Sequence, residues 1–378
     1  MIDNSGNAPA LILLGTLEIG GSETKFVSLA RRLYKSGLPV HVAYLRGPED
    51  LLPRLSGVPH VHLEQQGKWS LTAYRALRDY VSRHEIGSIV TVNPYPLIYA
   101  AVGSFGKDSP VRVIASINTS EFLACKEQLL MLLYKRLLRR CDHVVFGSMR
   151  QRELWTTRYG LDASESSVIY NAVDSSYFAP EGVDMDKATI RRELGIPNDS
   201  VVIVCVGQLR PEKGHGLLLE ALVSVGERCG SVPHLILVGD GAERQNIINK
   251  IKELNLESCV HLTGSTNDVR PYLKAADIFA LTSIAVETFS NAALEAASMG
   301  LPIVMSDIGG AREMFSESGD CIIYDKDDRQ GLANSLEAIV KRVRERREST
   351  NCLRDEVLER YTMEKMNSNW CNVLWQRP

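Results

Sequence analysis

Val201-Val202-Ile203-Val204-Cys205-Val206-Gly207-Gln208-Leu209-Arg210-Pro211-Glu212-Lys213-Gly214 is the stretch whose reading decides the fold. Its unbroken apolar start reads as a strand buried on both faces, the mark of a parallel sheet covered by helices. Gly207 ends the run, and a loop carrying Arg, Pro and Lys leads into the helical pattern Gly216–Arg228. In open α/β sheets, ligands bind beyond the carboxyl ends of the strands, so loops of this kind are where chemistry is expected.

The same alternation extends in both directions. Toward the C-terminus, strands His234–Val238, Val260–Leu262, Ile278–Leu281 and Pro302–Met305 alternate with helices Glu243–Leu254, Val269–Ala275 and Asn291–Met299. Toward the N-terminus, Ala10–Leu14, Pro39–Leu45, Ser88–Val92, Val111–Ile117, Val144–Phe146 and Val168–Tyr170 read as strands. Thr24–Tyr34, Leu71–His84 and Glu127–Arg140 read as helices, and Asn93–Pro96 as a proline-marked loop. Asn171–Met185 lacks apolar periodicity and reads as a linker, while Gln330–Arg347 and Glu364–Trp375 read as closing helices. The expectation is an α/β chain of two doubly wound, Rossmann-like domains facing an interdomain cleft. Residues 1–173, joined by the helix 364–378, form one; residues 174–363 form the other.

Composition narrows the class. The chain has 378 residues, 24% charged and 44% hydrophobic, enough for two ordinary domains. No apolar run is long enough to span a membrane, and the first residues lack a basic cluster, so a cytoplasmic protein without a signal peptide is expected. Eight cysteines are scattered singly, which argues against a disulfide framework or a zinc site; the expected metal count is none. The net charge is −3, with +4 in residues 1–175 and −7 in the rest. That asymmetry suits an anionic acceptor or an anionic membrane face, and is too small to make nucleic acid a main partner.

Three loops carry candidate chemistry. Gly20-Gly21-Ser22-Glu23 precedes a helix, where glycines admit close approach and free N–H groups attract an anion; a tight turn with Ser22 as N-cap is the plainer alternative. Lys213 and Arg210 stand between a strand and a helix, placed either to neutralise a diphosphate or simply to face solvent. His215 reads as a helix-start residue. In Glu287-Thr288-Phe289-Ser290-Asn291-Ala292-Ala293-Leu294-Glu295, Ser290 is an N-cap that would turn the next amides toward a phosphate. Glu295 lies among alanines and leucine, where a charge needs a partner. The dinucleotide fingerprint GxGxxG and the Walker A loop are absent, which weakens dehydrogenase and NTPase readings.

Taken in order, these motifs resemble the family 4, group 1 retaining glycosyltransferases of the GT-B fold. The resemblance covers nearly the whole chain and rests on Gly20-Gly21-Ser22-Glu23, the hinge-like Tyr170-Asn171-Ala172-Val173-Asp174, Pro211-Glu212-Lys213-Gly214, Val238-Gly239-Asp240-Gly241-Ala242-Glu243, and Glu287 with Glu295. It implies a nucleotide-sugar donor as substrate, no cofactor and no metal. Donor binding would involve Gly20, Gly21, Gln208, Arg210, Lys213, Glu287, Thr288, Phe289, Ser290, Asn291 and Glu295, with the turn Gly264–Val269 near the base. Lys213 would hold the diphosphate, Glu287 the sugar hydroxyls and Glu295 the ribose.

Two positions depart from the family. Gln208 stands where an arginine is usual, and Arg210 is expected to supply that charge. Asn118 stands where a histidine is common; with Glu287 and Lys213 it completes the candidate catalytic set, but an amide can only hydrogen-bond, not titrate, near pH 7. Trp69 and Asn93 are candidate acceptor-side residues. The acceptor is expected to be a saccharide or lipid-linked saccharide, in bacterial surface-polysaccharide or lipopolysaccharide assembly. Lys135, Arg136, Arg139 and Arg140, interleaved with Leu129, Leu130, Leu132, Leu133, Leu137 and Leu138, are either a peripheral membrane contact or a buried helix with basic ends. A nucleotide-sugar epimerase, a phosphorylase and a catalytically impaired sugar-nucleotide-binding protein remain as alternatives.

Overall fold

Branched apolar runs such as Leu11–Leu14 and Val202–Val206 bury both faces and therefore become central parallel strands. The computed structural model describes residues 7–67, 69–101, 109–118, 131, 134–315, 320–345 and 352–375. The chain divides into two compact units, Met1–Asn171 with Glu364–Pro378, and Ala172–Met363.

The first unit holds seven parallel strands: β1 (Ala10–Leu14), β2 (Val40–Tyr44), β3 (His60–His62), β4 (Ser88–Val92), β5 (Arg112–Ile117), β6 (His143–Phe146) and β7 (Ser166–Val168), ordered β3-β2-β1-β4-β5-β6-β7. The second holds six: β8 (Val202–Val206), β9 (His234–Val238), β10 (Val260–Gly264), β11 (Ile278–Leu281), β12 (Ile303–Ser306) and β13 (Cys321–Tyr324), ordered β10-β9-β8-β11-β12-β13. In each sheet the order reverses beside the first strand, between β1 and β4 and between β8 and β11. Such reversal points open a crevice at the strand ends, which is where a doubly wound sheet binds its ligand.

Most expected elements are present within a residue or two. The stretch Asn93–Pro96 differs: it is not a loop but the entry to the helix Pro94–Ala101. Proline is at home in a first helical turn, where its missing N–H costs nothing. Asn93 takes the turn before it at φ 69°. The strand expected at Val168–Tyr170 lies instead at Ser166–Val168. β3, β13 and the helices Met149–Tyr159, Lys187–Glu193 and Cys352–Arg360 add to the expected set.

The last helix, Met363–Trp375, packs into the first unit. Trp370 is fully buried edge-on against Phe26, with ring centroids 5.2 Å apart. Arg112 donates to the carbonyls of Val373 and Leu374 at 3.3 and 3.4 Å, and the Trp375 indole to that of Ala8 at 2.9 Å. The seven described cysteines are unbridged, and no described group of three His, Cys, Asp or Glu could hold a metal. No helix among the described residues is long and apolar enough to cross a membrane.

Trp370→Ala should destabilise the protein by about 3–5 kcal/mol, the usual cost of truncating a buried tryptophan. A urea titration followed by circular dichroism checks this; an unchanged midpoint would show that the last helix adds nothing to the first unit.

Candidate active site

In the second unit the loops leaving β8 and β11 meet at the reversal point, and backbone contacts lock them together. Gly214, at φ 66°, lies so close to β11 that a side chain there would sit 2.2 Å from the Thr282 carbonyl. Thr282 Oγ1 donates to the carbonyl of Lys213 at 3.0 Å, and the Ile284 N–H to that of Glu212 at 2.8 Å. A turn from β9 braces the first loop from the other side. The Leu209 N–H bonds Asp240 O at 2.9 Å, and a Cβ on Gly239 would meet Gly207 O at 1.9 Å. The Gly239-Asp240-Gly241 motif thus supports the β8 loop by close backbone packing.

This scaffold brings Lys213 and Glu287 together across 74 residues of sequence, Nζ to Oε2 at 2.7 Å, both side chains largely buried. Ser283 Oγ donates to the same carboxylate oxygen at 3.2 Å. Val286, just ahead of Glu287, sits at φ 57°, a conformation costly for a β-branched residue. A second glycine turn holds it there. The Gly310 N–H bonds Thr288 O at 2.7 Å, and a Cβ on Gly309 would fall 2.2 Å from Glu287 O. Ser306 Oγ, at the end of β12, anchors Ser283 O at 2.6 Å.

The helix Asn291–Ser298 begins at Ser290, whose hydroxyl accepts from the Ala293 N–H at 3.3 Å. The first amides, Asn291 and Ala292, bond no described residue, so the helix start offers two donors to an anion. The Phe289 side chain packs in the core, edge-on to Tyr361 at 5.3 Å. Glu295 is half-buried, and no described residue donates to its carboxyl; burial pushes its pKa up from 4.5 to about 7. His215 opens the helix after Gly214, as expected. Burial and the Lys213 charge lower its pKa to about 4, so it stays neutral.

Gln208 and Arg210 lie exposed on the β8 loop, with Arg210 Nη1 3.9 Å from Glu212 Oε1. In the turn after β10, Asp268 is gripped by the Arg270 guanidinium at 2.7 and 2.9 Å.

In the first unit Gly20 is the extended residue that caps the helix Gly21–Lys35, with no side-chain cap bond. Ser22 is therefore inside the helix rather than its N-cap. At the ends of β4 and β5, Asn93 Oδ1 accepts from the Asn118 N–H at 3.2 Å, and the Asn118 amide turns back toward Ser116. Trp69 is 65% exposed ahead of the helix Leu71–Arg83, where Ser70 is the N-cap. Of the basic helix, Leu129, Leu130, Leu132 and Leu133 lie outside the described residues. Leu137 and Leu138 are buried, while Arg136, Arg139 and Arg140 are exposed, so the described part is an ordinary core-facing helix.

Several supporting residues were not singled out from sequence: Ser283, Ser306, Gly309, Gly310 and the strained Val286. The pair Gly309-Gly310, two residues beyond the end of a strand, is a visible signal; the two serines leave none.

Two α/β units, each built on a parallel sheet whose strand order reverses beside its first strand, define a class. HepE of Anabaena, solved in complex with UDP, superposes with a TM-score of 0.82 at 22% identity, covering 97% of this chain and 99% of that one. The fold is GT-B. Residues 19–177 match the model for Glycosyltransferase Family 4, and residues 186–351 that for Glycosyl transferases group 1. The chain belongs to this glycosyltransferase family, an enzyme family of the sugar-transferring class. The lipopolysaccharide core biosynthesis glycosyltransferase LpsE of Rhizobium meliloti is 31% identical over 173 residues, 46% of this chain and 47% of LpsE. The UDP-Gal:alpha-D-GlcNAc-diphosphoundecaprenol alpha-1,3-galactosyltransferase of Escherichia coli is 29% identical over 232 residues, 59% of each chain. The match thus spans about half the length of these relatives.

Two outcomes follow from the strained and buried groups. Val286→Gly should raise stability by about 1 kcal/mol by removing the φ penalty. Calorimetric melting reads it, and an unchanged or lowered melting temperature would show that the loop carries no strain at Val286. Glu295 binds its proton more tightly folded than unfolded, so stability falls as pH rises from about 4.5 to 7 and the penalty is complete above. Glu295→Gln should therefore melt like the parent at pH 4 and be more stable at pH 8, by about 1–3 kcal/mol. Equal melting at both pH values would place the carboxyl in water.

Proposed function

We propose that the protein is a retaining glycosyltransferase that moves a sugar from a nucleotide-diphosphate-sugar to a saccharide or lipid-linked saccharide in surface-polysaccharide or lipopolysaccharide assembly. The observation that carries this reading is the Lys213–Glu287 pair beside the free amides of Asn291 and Ala292. The cation and the two amides suit a diphosphate, and the adjacent carboxylate suits sugar hydroxyls. Glu295, one to two turns into the helix, is an acceptor with no donor among the described residues, which ribose hydroxyls would satisfy. HepE, whose fold this chain shares, is described with UDP, UDP-glucose and glucose.

In this reading the donor lies on the second unit and the acceptor is presented by the first, through Asn93, Asn118 and Trp69. As the sugar–oxygen bond breaks, Lys213 and the helix start stabilise charge on the departing diphosphate. The acceptor hydroxyl attacks from the same face, and the diphosphate takes its proton, which retains configuration without a carboxylate nucleophile. Arg210 is exposed and, among the described residues, its side chain has only a long contact to Glu212, so it is available to the diphosphate in place of the arginine that Gln208 replaces.

Glu287→Gln keeps a hydrogen-bond acceptor for Lys213 but removes the charge. Turnover should fall about 10²–10³-fold, with melting temperature nearly unchanged. UDP or its sugar at 100 times its dissociation constant should stabilise the parent by about 2.7 kcal/mol. Near-normal turnover in the variant would overturn the assignment of Glu287. A donor consumed without acceptor would favour an epimerase, and a requirement for free phosphate a phosphorylase.

A further inference from the structure

At the carboxyl ends of β2, β3 and β4, the first unit carries a side-chain cluster that the donor loops do not use. Arg46 follows β2, with its N–H bonded to Gly15 O at 3.2 Å and its guanidinium 5.9 Å from the Tyr95 ring centroid. It is exposed, and no described carboxylate lies within ion-pair reach of it. The nearby Glu49 is engaged elsewhere, accepting from the Tyr44 hydroxyl at 2.9 Å and facing His62 Nδ1 at 3.2 Å.

Gln65 follows β3 and is tied to Leu45 O at 2.8 Å. Its Nε2 donates to Gly67 O at 2.6 Å and to the Tyr95 hydroxyl. A carbonyl oxygen only accepts, so the atom facing Gly67 O must be the nitrogen, which fixes the amide. Gln65 Oε1 is then left buried with no donor among the described residues. Tyr95 and Tyr99 stand edge to face at 6.1 Å, and the Tyr99 hydroxyl accepts from the Ser70 N–H at 3.3 Å, directly beside the exposed Trp69.

An unpaired guanidinium presents a fork of donors that matches the paired oxygens of a carboxylate or phosphate. Aromatic faces and an unmet amide oxygen suit the apolar and hydroxyl faces of a sugar ring. We propose that Arg46, Gln65, Tyr95 and Trp69 form an acceptor subsite for an acidic saccharide, a sugar carrying a carboxylate or phosphate that Arg46 grips. This rests on the glycosyltransferase reading above and specifies the acceptor class of that activity. The net +4 of residues 1–175 favours the same sign of ligand.

Ligand-observed NMR of the full chain with three matched probes, glucose, glucuronate and glucose 6-phosphate, tests it at low salt. At least one acidic probe should bind about ten-fold more tightly than glucose, roughly one charge-assisted contact. Arg46→Gln should erase that preference while leaving glucose binding, UDP binding and melting temperature unchanged. Glu295→Ala, in the donor loops, should keep it. A stronger effect with glucuronate assigns a carboxylate, and with glucose 6-phosphate a phosphate. No acidic preference, or one that survives Arg46→Gln or is lost in Glu295→Ala, overturns the subsite. Failure of the parent reading looks different: no UDP or UDP-sugar binding by the parent chain, whatever the acidic probes do.

Discussion

The ion pair between Lys213 and Glu287 is the interaction around which the second unit is arranged. It joins two residues 74 apart in sequence, on the loops of two strands that are neighbours in the sheet. A largely buried pair of this kind contributes little to stability by itself, because desolvation offsets much of the attraction. Its value is positional: a cation and an anion are held at 2.7 Å at the one place where the sheet order reverses. Two glycine turns and two serines fix the surrounding backbone, and they explain why small residues recur there. Gly214, Gly239 and Gly309 each leave no room for a Cβ.

The site also accepts local costs. Val286 stands in a left-handed conformation, and Glu295 carries a carboxyl with no described donor. Neither choice serves folding. Both are understandable if the loop's purpose is to hold a carboxylate rigidly and to leave another acceptor for a ligand's hydroxyls. The first unit shows the same economy in Gln65, whose amide geometry is fixed on one side and unmet on the other.

Much of this was legible from sequence, for physical reasons. Strands buried on both faces write themselves as continuous apolar runs, so Ala10–Leu14, Ser88–Val92, His234–Val238 and Ile278–Leu281 could be bounded correctly. Ser290 announced its helix because an N-cap has few chemical solutions. β3 escaped because His60-Val61-His62 is a short polar edge strand, and the helix at Pro94 because two prolines read as punctuation rather than as a first turn. Ser22 looked like a cap, yet Gly20 holds that place. The contact between Lys213 and Glu287 was not legible, since nothing local links the two residues. The contact expected of Phe289 is one of its backbone, and its side chain packs on Tyr361.

The central claim is that the loops at the β8–β11 reversal point bind a nucleotide-diphosphate-sugar. Amide hydrogen exchange of the full chain, with and without saturating UDP-sugar, tests it most directly. The account predicts that slowed exchange concentrates at residues 207–214, at 283–295 and in the turn 264–269. Protection confined to other segments, or none under conditions where binding is independently demonstrated, would contradict it.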